Sequence, residues 1–181
     1  LAIDILAEHG YTENLRRVYS KEYKHHSRYA HNQCCRLLDQ IGFGLTGFSS
    51  LRDRFALNTQ SFDEYYNLIE SGHLPINRGI IRNREEQMRW AIILPLKNRT
   101  ARKSDFLRAT GEPMDHYFRA KIAKLQKAGL VVEDEERLAL TKLGAFFADE
   151  VVQQFQNSDY MPYPPDHYDV GPLHPWNDCT P

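Results

Sequence analysis

Ile41-Gly-Phe-Gly-Leu-Thr-Gly-Phe-Ser-Ser-Leu51 places glycines at 42, 44 and 47 within one short stretch. Glycine has no Cβ, so it reaches positive φ and lets another group approach the main chain closely. Thr46, Ser49 and Ser50 add hydroxyls beside the amides. Main-chain donors with flanking hydroxyls suit a loop that holds a phosphate, a carboxylate or a sulfonium-bearing ligand. No Gly-Lys-Ser/Thr follows, and the P-loop and Rossmann spacings are read as absent. A plain tight turn is the alternative reading.

Outward from this loop, the 181 residues suffice for one domain, or for one domain and a piece of another. Lys and Arg total 23 against 24 Asp and Glu, so no net field points to nucleic acid or an anionic membrane. No apolar run reaches the length of a membrane span. The three cysteines, Cys34, Cys35 and Cys179, suit a reduced cytoplasmic setting. The opening Leu-Ala-Ile-Asp resembles neither an initiator nor a signal peptide, and the chain is expected to be part of a longer protein.

Leu1–His9 reads as an amphipathic helix stopped by Gly10, with Tyr11–Tyr19 extended after it. Lys21–His31 is polar, and His25, His26 and His31 read as solvated loop histidines rather than metal ligands, because their spacing fits no zinc site. Leu37–Phe43 is expected to be a short strand that delivers the glycine loop to a strand end, where ligands sit in open α/β sheets. Ser61 and Glu64 form a capping-box pattern for a helix ending at Gly72. Arg78-Gly79 follows in an extended linker, where a guanidinium is able to grip a carboxylate or to pair with a nearby Asp or Glu.

From Asn83 the periodicity becomes helical. Asn83 with Glu85 and Glu86 caps a helix carrying Met88, Ala91 and Ile92, which Pro95 should kink or end. Further helices are expected over Lys103–Ala109 and Asp115–Ala128, the latter with Phe118, Ile122 and Leu125 on one face and Arg119, Lys121, Lys124 and Lys127 on the other. Gly129 ends it. Leu130-Val-Val132 and Arg137–Leu140 read as strands about an acidic turn, and Thr141 caps a helix over Lys142–Gln154. Helix, helix, helix, hairpin, helix is the winged-helix order, and the basic third helix would suit DNA. The turn Glu133-Asp-Glu-Glu136 argues against it, because phosphates repel four successive carboxylates. The Pro- and Tyr-rich run from Asp159 to Trp176 reads as an extended arm.

The succession His31-Asn32-Gln33, Ile-Gly-x-Gly, Ser-Ser, Asn58, Phe62-Asp-Glu-Tyr-Tyr66, Gly72-His-Leu-Pro75, Arg78-Gly79 and Asn83-Arg-Glu-Glu86 resembles the C-terminal third of oxygen-independent coproporphyrinogen III oxidase and its radical S-adenosylmethionine relatives. The likeness runs from about Leu1 to about Phe155. It implies an α/β fold, the end of a partial radical S-adenosylmethionine barrel, followed by a mainly α winged-helix-like C-terminal domain. Residues 1–60 would hold the last barrel elements and the loop, 61–82 a connecting helix and linker, 83–156 the C-terminal domain and 157–181 the arm. It also implies S-adenosylmethionine and a [4Fe–4S] cluster as cofactors. No Cys-x3-Cys-x2-Cys occurs, so the cluster ligands are expected outside this chain.

The partners it implies are the cluster-binding N-terminal part of the same protein, a tetrapyrrole-like substrate, and an electron donor such as flavodoxin or ferredoxin. Neither a membrane nor nucleic acid is among them. Gly42, Gly44, Thr46, Ser49, Asn58 and Arg78 are the candidate positions for binding S-adenosylmethionine or substrate. Asn58 has the alternative of capping its own turn. No catalytic residue and no metal ligand is assigned. Heme-chaperone relatives often follow the asparagine with Tyr-Trp, where this chain has Cys35-Arg36, which argues against that branch. Methyl transfer, cyclopropane formation or heme ring opening stand as alternative reactions, and a winged-helix interaction or DNA-binding module as the non-enzymatic alternative.

Overall fold

A computed structural model describes residues 2–157; the expected arm beyond Asn157 lies outside the described residues. The chain divides into two compact units, Leu38–Gln87 and the described residues of Leu1–Leu37 with Met88–Pro181. The fold is mixed α/β, with eight α-helices and three small sheets among the described residues. Every strand pair in them is antiparallel.

Helix α1 (Ala2–Glu8) ends as its sequence dictates, with Gly10 at φ +79° and the Tyr11 amide returning to the Leu6 carbonyl at 2.9 Å. The stretch after it is a hairpin rather than one strand. β1 (Thr12–Leu15) turns through Arg16 and Arg17 into β2 (Val18–Ser20), with Arg17 at φ +66° and its amide donating to a Glu13 carboxylate oxygen. The polar segment is not all loop. Ser27 caps α2 (Arg28–Cys34) by accepting from the Ala30 amide, so His31 is a helical, half-buried residue rather than a solvated loop histidine.

In the unit Leu38–Gln87, β3 (Phe48–Leu51) pairs with β4 (Arg54–Asn58) across a tight turn. Helix α3 (Phe62–Glu70) returns the chain to β5 (Ile76–Ile81), which pairs with the other edge of β4. The expected capping box is half realised. Ser61 Oγ accepts from the Glu64 amide, but the Glu64 carboxylate takes the Thr59 hydroxyl instead of returning to Ser61. Two expectations are corrected here. Leu37–Phe43 is not a strand: Gln40 makes a single bridge to Ser50, and beyond it the chain folds back on itself, glycine permitting the contact. Arg78-Gly79 is not a linker but the middle of β5, where Gly79 lies opposite Ala56 and a Cβ on it would sit 2.6 Å from the Phe55 carbonyl oxygen.

The first turn of α4 (Arg84–Lys97) carries a complete capping box: the Asn83 side chain accepts from the Glu86 amide at 2.9 Å, and the Glu86 carboxylate accepts from the Asn83 amide at 2.8 Å. Pro95 lies inside the helix, which stops two residues later. A strand without precedent in the sequence pattern, β6 (Thr100–Arg102), then leads into α5 (Lys103–Thr110), closed by Gly111 at φ +80°. Helix α6 (Met114–Lys127) buries Met114, Phe118, Ile122 and Leu125, one face at helical spacing. The hairpin of β7 (Val131–Glu133) and β8 (Arg137–Leu140) follows, and β6 joins it to give a sheet in the order β6, β8, β7.

The last helix is two helices. α7 (Lys142–Phe146), capped by Thr141, breaks at Phe147 (φ −99°, ψ 31°), and α8 (Ala148–Gln153) resumes. The two carbonyls past α8 are held by cations: Arg89 donates to the Phe155 oxygen at 2.7 Å and Lys121 to the Gln154 oxygen at 2.9 Å. Lys121 therefore serves the packing of α8 rather than a free basic face. Phe106, Phe118 and Phe155 meet edge to face in the core of this unit, where burying each ring contributes about 1.5–3 kcal/mol.

Candidate functional site

Most of the chemistry in the glycine loop is spent on the loop itself. Gly42 donates its amide to Ser49 Oγ at 3.1 Å, and a Cβ on Gly42 would stand 2.4 Å from the Phe48 carbonyl oxygen. Gly47 donates to the Gly44 carbonyl, and its missing Cβ would meet the Phe43 oxygen at 2.8 Å. Gly44 (φ +84°) and Thr46 (φ +57°) take left-handed backbone, and the Thr46 amide donates to the Thr59 carbonyl at 3.1 Å. Glycines 42 and 47 are thus required by close approach within the loop, and Gly44 by its backbone angle.

Asn58, 7% exposed, anchors this turn. Its Nδ2 donates to the Gly44 carbonyl at 2.9 Å and to the Gly42 carbonyl at 3.4 Å, while its own amide donates to the Gly47 carbonyl. It caps the glycine turn rather than its own. Three consecutive amides remain: those of Phe43, Gly44 and Leu45 engage no described residue. Beside them the Thr46 side chain is exposed. Successive free N–H groups in a turn attract an anion or a carboxylate.

Among the candidate residues, then, Gly42, Gly44, Thr46, Ser49 and Asn58 come together in one turn. Arg78 does not join it directly. It stands opposite Leu57, which in turn stands opposite Phe48, so the three share one row across the sheet. Two strand spacings put its Cα about 10 Å from the exit of the loop. Arg78 is exposed and has no ion-pair partner among the described residues, so pairing with a neighbouring carboxylate does not account for it.

Gly42-x-Gly44-x-x-Gly47 does have the letter spacing of a dinucleotide fingerprint, and context is what excludes that function. The fingerprint requires a strand before the glycines and a helix N-terminus after them, whereas here an irregular segment precedes and an antiparallel strand follows. Gln40 and Thr59, which sequence reasoning passed over, are the remaining clamps. Gln40 Nε2 donates to the Phe48 carbonyl at 3.1 Å, and Thr59 links the Thr46 amide to the Pro75 carbonyl through its own main chain. Neither falls in a recognisable spacing.

The described residues do not fit an iron–sulfur cluster: no group of three or more His, Cys, Asp or Glu side chains gathers as a metal site among them. Cys34 and Cys35 are adjacent and half-buried, and burial pushes the Cys35 thiol up to about 11, away from the thiolate that iron requires. No helix among the described residues is long and apolar enough to cross a membrane.

Residues 83–147 match the family described as the HemN C-terminal domain. It is similar to the oxygen-independent coproporphyrinogen III oxidase of two Helicobacter pylori strains. Identity to the protein of strain 26695 is 23% over 121 residues, which cover 64% of this chain and 26% of that protein. For strain J99 it is 22% over the same length and shares. The chain thus spans about a quarter of the length of these curated relatives. A solved structure with the same fold is the coproporphyrinogen III oxidase (HemN) of Escherichia coli, described as a radical SAM enzyme. Its TM-score is 0.55 at 20% identity, covering 85% of this chain and 39% of that one.

Proposed function

We propose that this chain is the C-terminal portion of a radical S-adenosylmethionine oxidoreductase resembling oxygen-independent coproporphyrinogen III oxidase, acting on a tetrapyrrole or related substrate in the cytoplasm. The match of residues 83–147 to the HemN C-terminal domain carries the reading. On it, residues 1–60 hold the final elements of the radical barrel, 61–82 connect, and 83–156 form the C-terminal domain. The cluster-binding part precedes them in the same polypeptide, and flavodoxin or ferredoxin supplies electrons. When bound, the [4Fe–4S] cluster and S-adenosylmethionine together supply hydrogen-atom abstraction.

The role of this chain is to bind and orient. The amides of Phe43, Gly44 and Leu45 and the Thr46 hydroxyl receive a carboxylate of S-adenosylmethionine or substrate, while Ser49 and Asn58 keep the turn open to it. Arg78 offers a two-pronged guanidinium to a second carboxylate. Residues 83–156 are read as a winged-helix-like domain, and the acidic Glu133–Glu136 turn favours a packing role over DNA binding.

The test uses the complete protein. Gly44→Val and Arg78→Ala are each expected to lower turnover at least about tenfold while cluster content stays normal, a loss in the range of one charge-assisted hydrogen bond. Undiminished turnover in both variants would remove the site assignment. Absence of S-adenosylmethionine cleavage in the anaerobically reconstituted wild-type protein would remove the reaction class.

A further inference from the structure

In the unit that holds α5 to α8, a cavity of about 320 Å³ counts four arginines and a histidine in its lining. Arg36 reaches it from the end of α2, Arg99 from the turn before β6, Arg102 from β6 and Arg137 from β8, with His31 beside them. Glu13 is the acidic residue in the lining. These positions are scattered over a hundred residues of sequence, which is why no local motif announces them.

Three observations favour an anionic ligand here. First, the β6–β8 register sets Arg102 directly opposite Arg137. Their neighbours Ala101 and Leu138 are buried in the core, so both arginines face the other side, together. Like charges in directly opposed cross-strand positions repel unless something between them is negative. Second, the exposed Arg102 side chain has no hydrogen-bond or ion-pair partner among the described residues, although Arg36 and Arg137 place their Nε atoms on Asp105 and Asp134 and Arg99 pairs with Glu13. Third, Arg99 Nε and His31 Nδ1 are buried without a hydrogen-bond partner among the described residues. Arg99 also holds φ +91°, a left-handed conformation that a side-chain-bearing residue adopts only at a cost. Burial, with the charges of His26, Arg102 and Arg36, holds the His31 ring below its ordinary range, as expected of an imidazole in a positive cavity.

We propose that this cavity binds an oxyanion, a phosphate or carboxylate group received between Arg102 and Arg137. Guanidinium groups match the geometry of both ions through paired N–H donors. The inference is independent of the loop at 42–49 and of the reaction proposed above.

Calorimetric titration of the complete protein at low ionic strength, with inorganic phosphate, pyrophosphate and succinate as separate probes and chloride at matched ionic strength as blank, tests it. At least one probe should bind saturably, and Arg102→Gln and Arg137→Gln should each weaken it about tenfold or more, as loss of one charge-assisted contact requires. Arg119→Gln, on the exposed face of α6, should leave affinity unchanged. Preference for phosphate or pyrophosphate identifies a phosphoryl ligand, and preference for succinate a carboxylate one. In the absence of anion, Arg102→Gln should melt no lower than the wild type, because it relieves the repulsion across the ladder. No saturable binding by any probe at about 20 mM, or equal affinity in both cavity variants and the wild type, overturns the proposal.

Discussion

The side-chain amide of Asn58 donates to the carbonyl oxygen of Gly44 at 2.9 Å and, at 3.4 Å, to that of Gly42, so a single buried residue on β4 ties down both limbs of the glycine turn. Asn58→Ala leaves those carbonyls without their donor, and Asn58→Asp replaces the donor by an acceptor. Each is expected to destabilise the turn by about 2 kcal/mol. Amide hydrogen exchange at Thr46 and Gly47, both bonded within this network, should accelerate accordingly. Protection at those two amides equal to the wild type would mean that Asn58 does not hold the loop.

Two glycines of the other unit make opposite demands. At Gly144 a Cβ would lie 1.8 Å from the Leu130 carbonyl oxygen, where α7 meets the start of the hairpin. Gly111 meets nothing within 4 Å, but its φ of +80° ends α5. Gly144→Ala should therefore cost more than about 3 kcal/mol through forced displacement of backbone, and Gly111→Ala about 1 kcal/mol through strain alone. Urea denaturation of both variants checks the order, and equal losses would contradict it.

Asp149 accepts both prongs of Arg16, at 3.0 and 2.8 Å, and Lys97 stands 3.0 Å away. The Arg16 hydrogen bonds, followed by those of Lys97, hold its carboxyl well below the usual carboxylate range despite the opposing effect of burial. A folded-state pKa below the unfolded one means that the unfolded chain binds the proton first. The stabilisation is therefore complete above about pH 5, shrinks as pH falls through about 4, and vanishes below the folded value. With its side chain 48% exposed, solvent screening limits the effect to about 1 kcal/mol. The stability difference between wild type and Asp149→Asn should be constant from pH 5 to 8 and close as the solution is acidified. A difference that persists undiminished at pH 2 would assign it to packing.

Cys35 offers a chemical readout of burial. With its thiol pushed up to about 11, first by desolvation and then by the neighbouring Cys34, very little thiolate is present at pH 8. Alkylation of the native chain followed by peptide mass mapping should find Cys35 modified at least about tenfold more slowly than in denaturant. Equal rates would show that the end of α2 does not cover it.

Where interactions close within a few residues, the sequence was sufficient. The Asn83–Glu86 capping box, the Ser61 cap, the apolar face Phe118, Ile122 and Leu125, the stop at Gly129 and the hairpin about the acidic turn all depend on neighbours one helical turn or one tight turn away. Such spacings are written in one dimension. The three-residue β6 carries no period, and only the partner strand β8 makes it a strand. The break at Phe147 falls inside a continuous helical pattern. The glycines at 42 and 47 signalled a polar-ligand loop, whereas packing assigns them first to close approach of their own backbone. Asn58 over Gly44, and Arg102 across from Arg137, are likewise products of strand register. Sequence by itself determined α1, α3, α4, α5 and α6, the caps at Ser61, Asn83 and Thr141, and the family likeness. Tertiary structure decided which polar groups were left over to bind something, because that depends on which partners long-range pairing has already consumed.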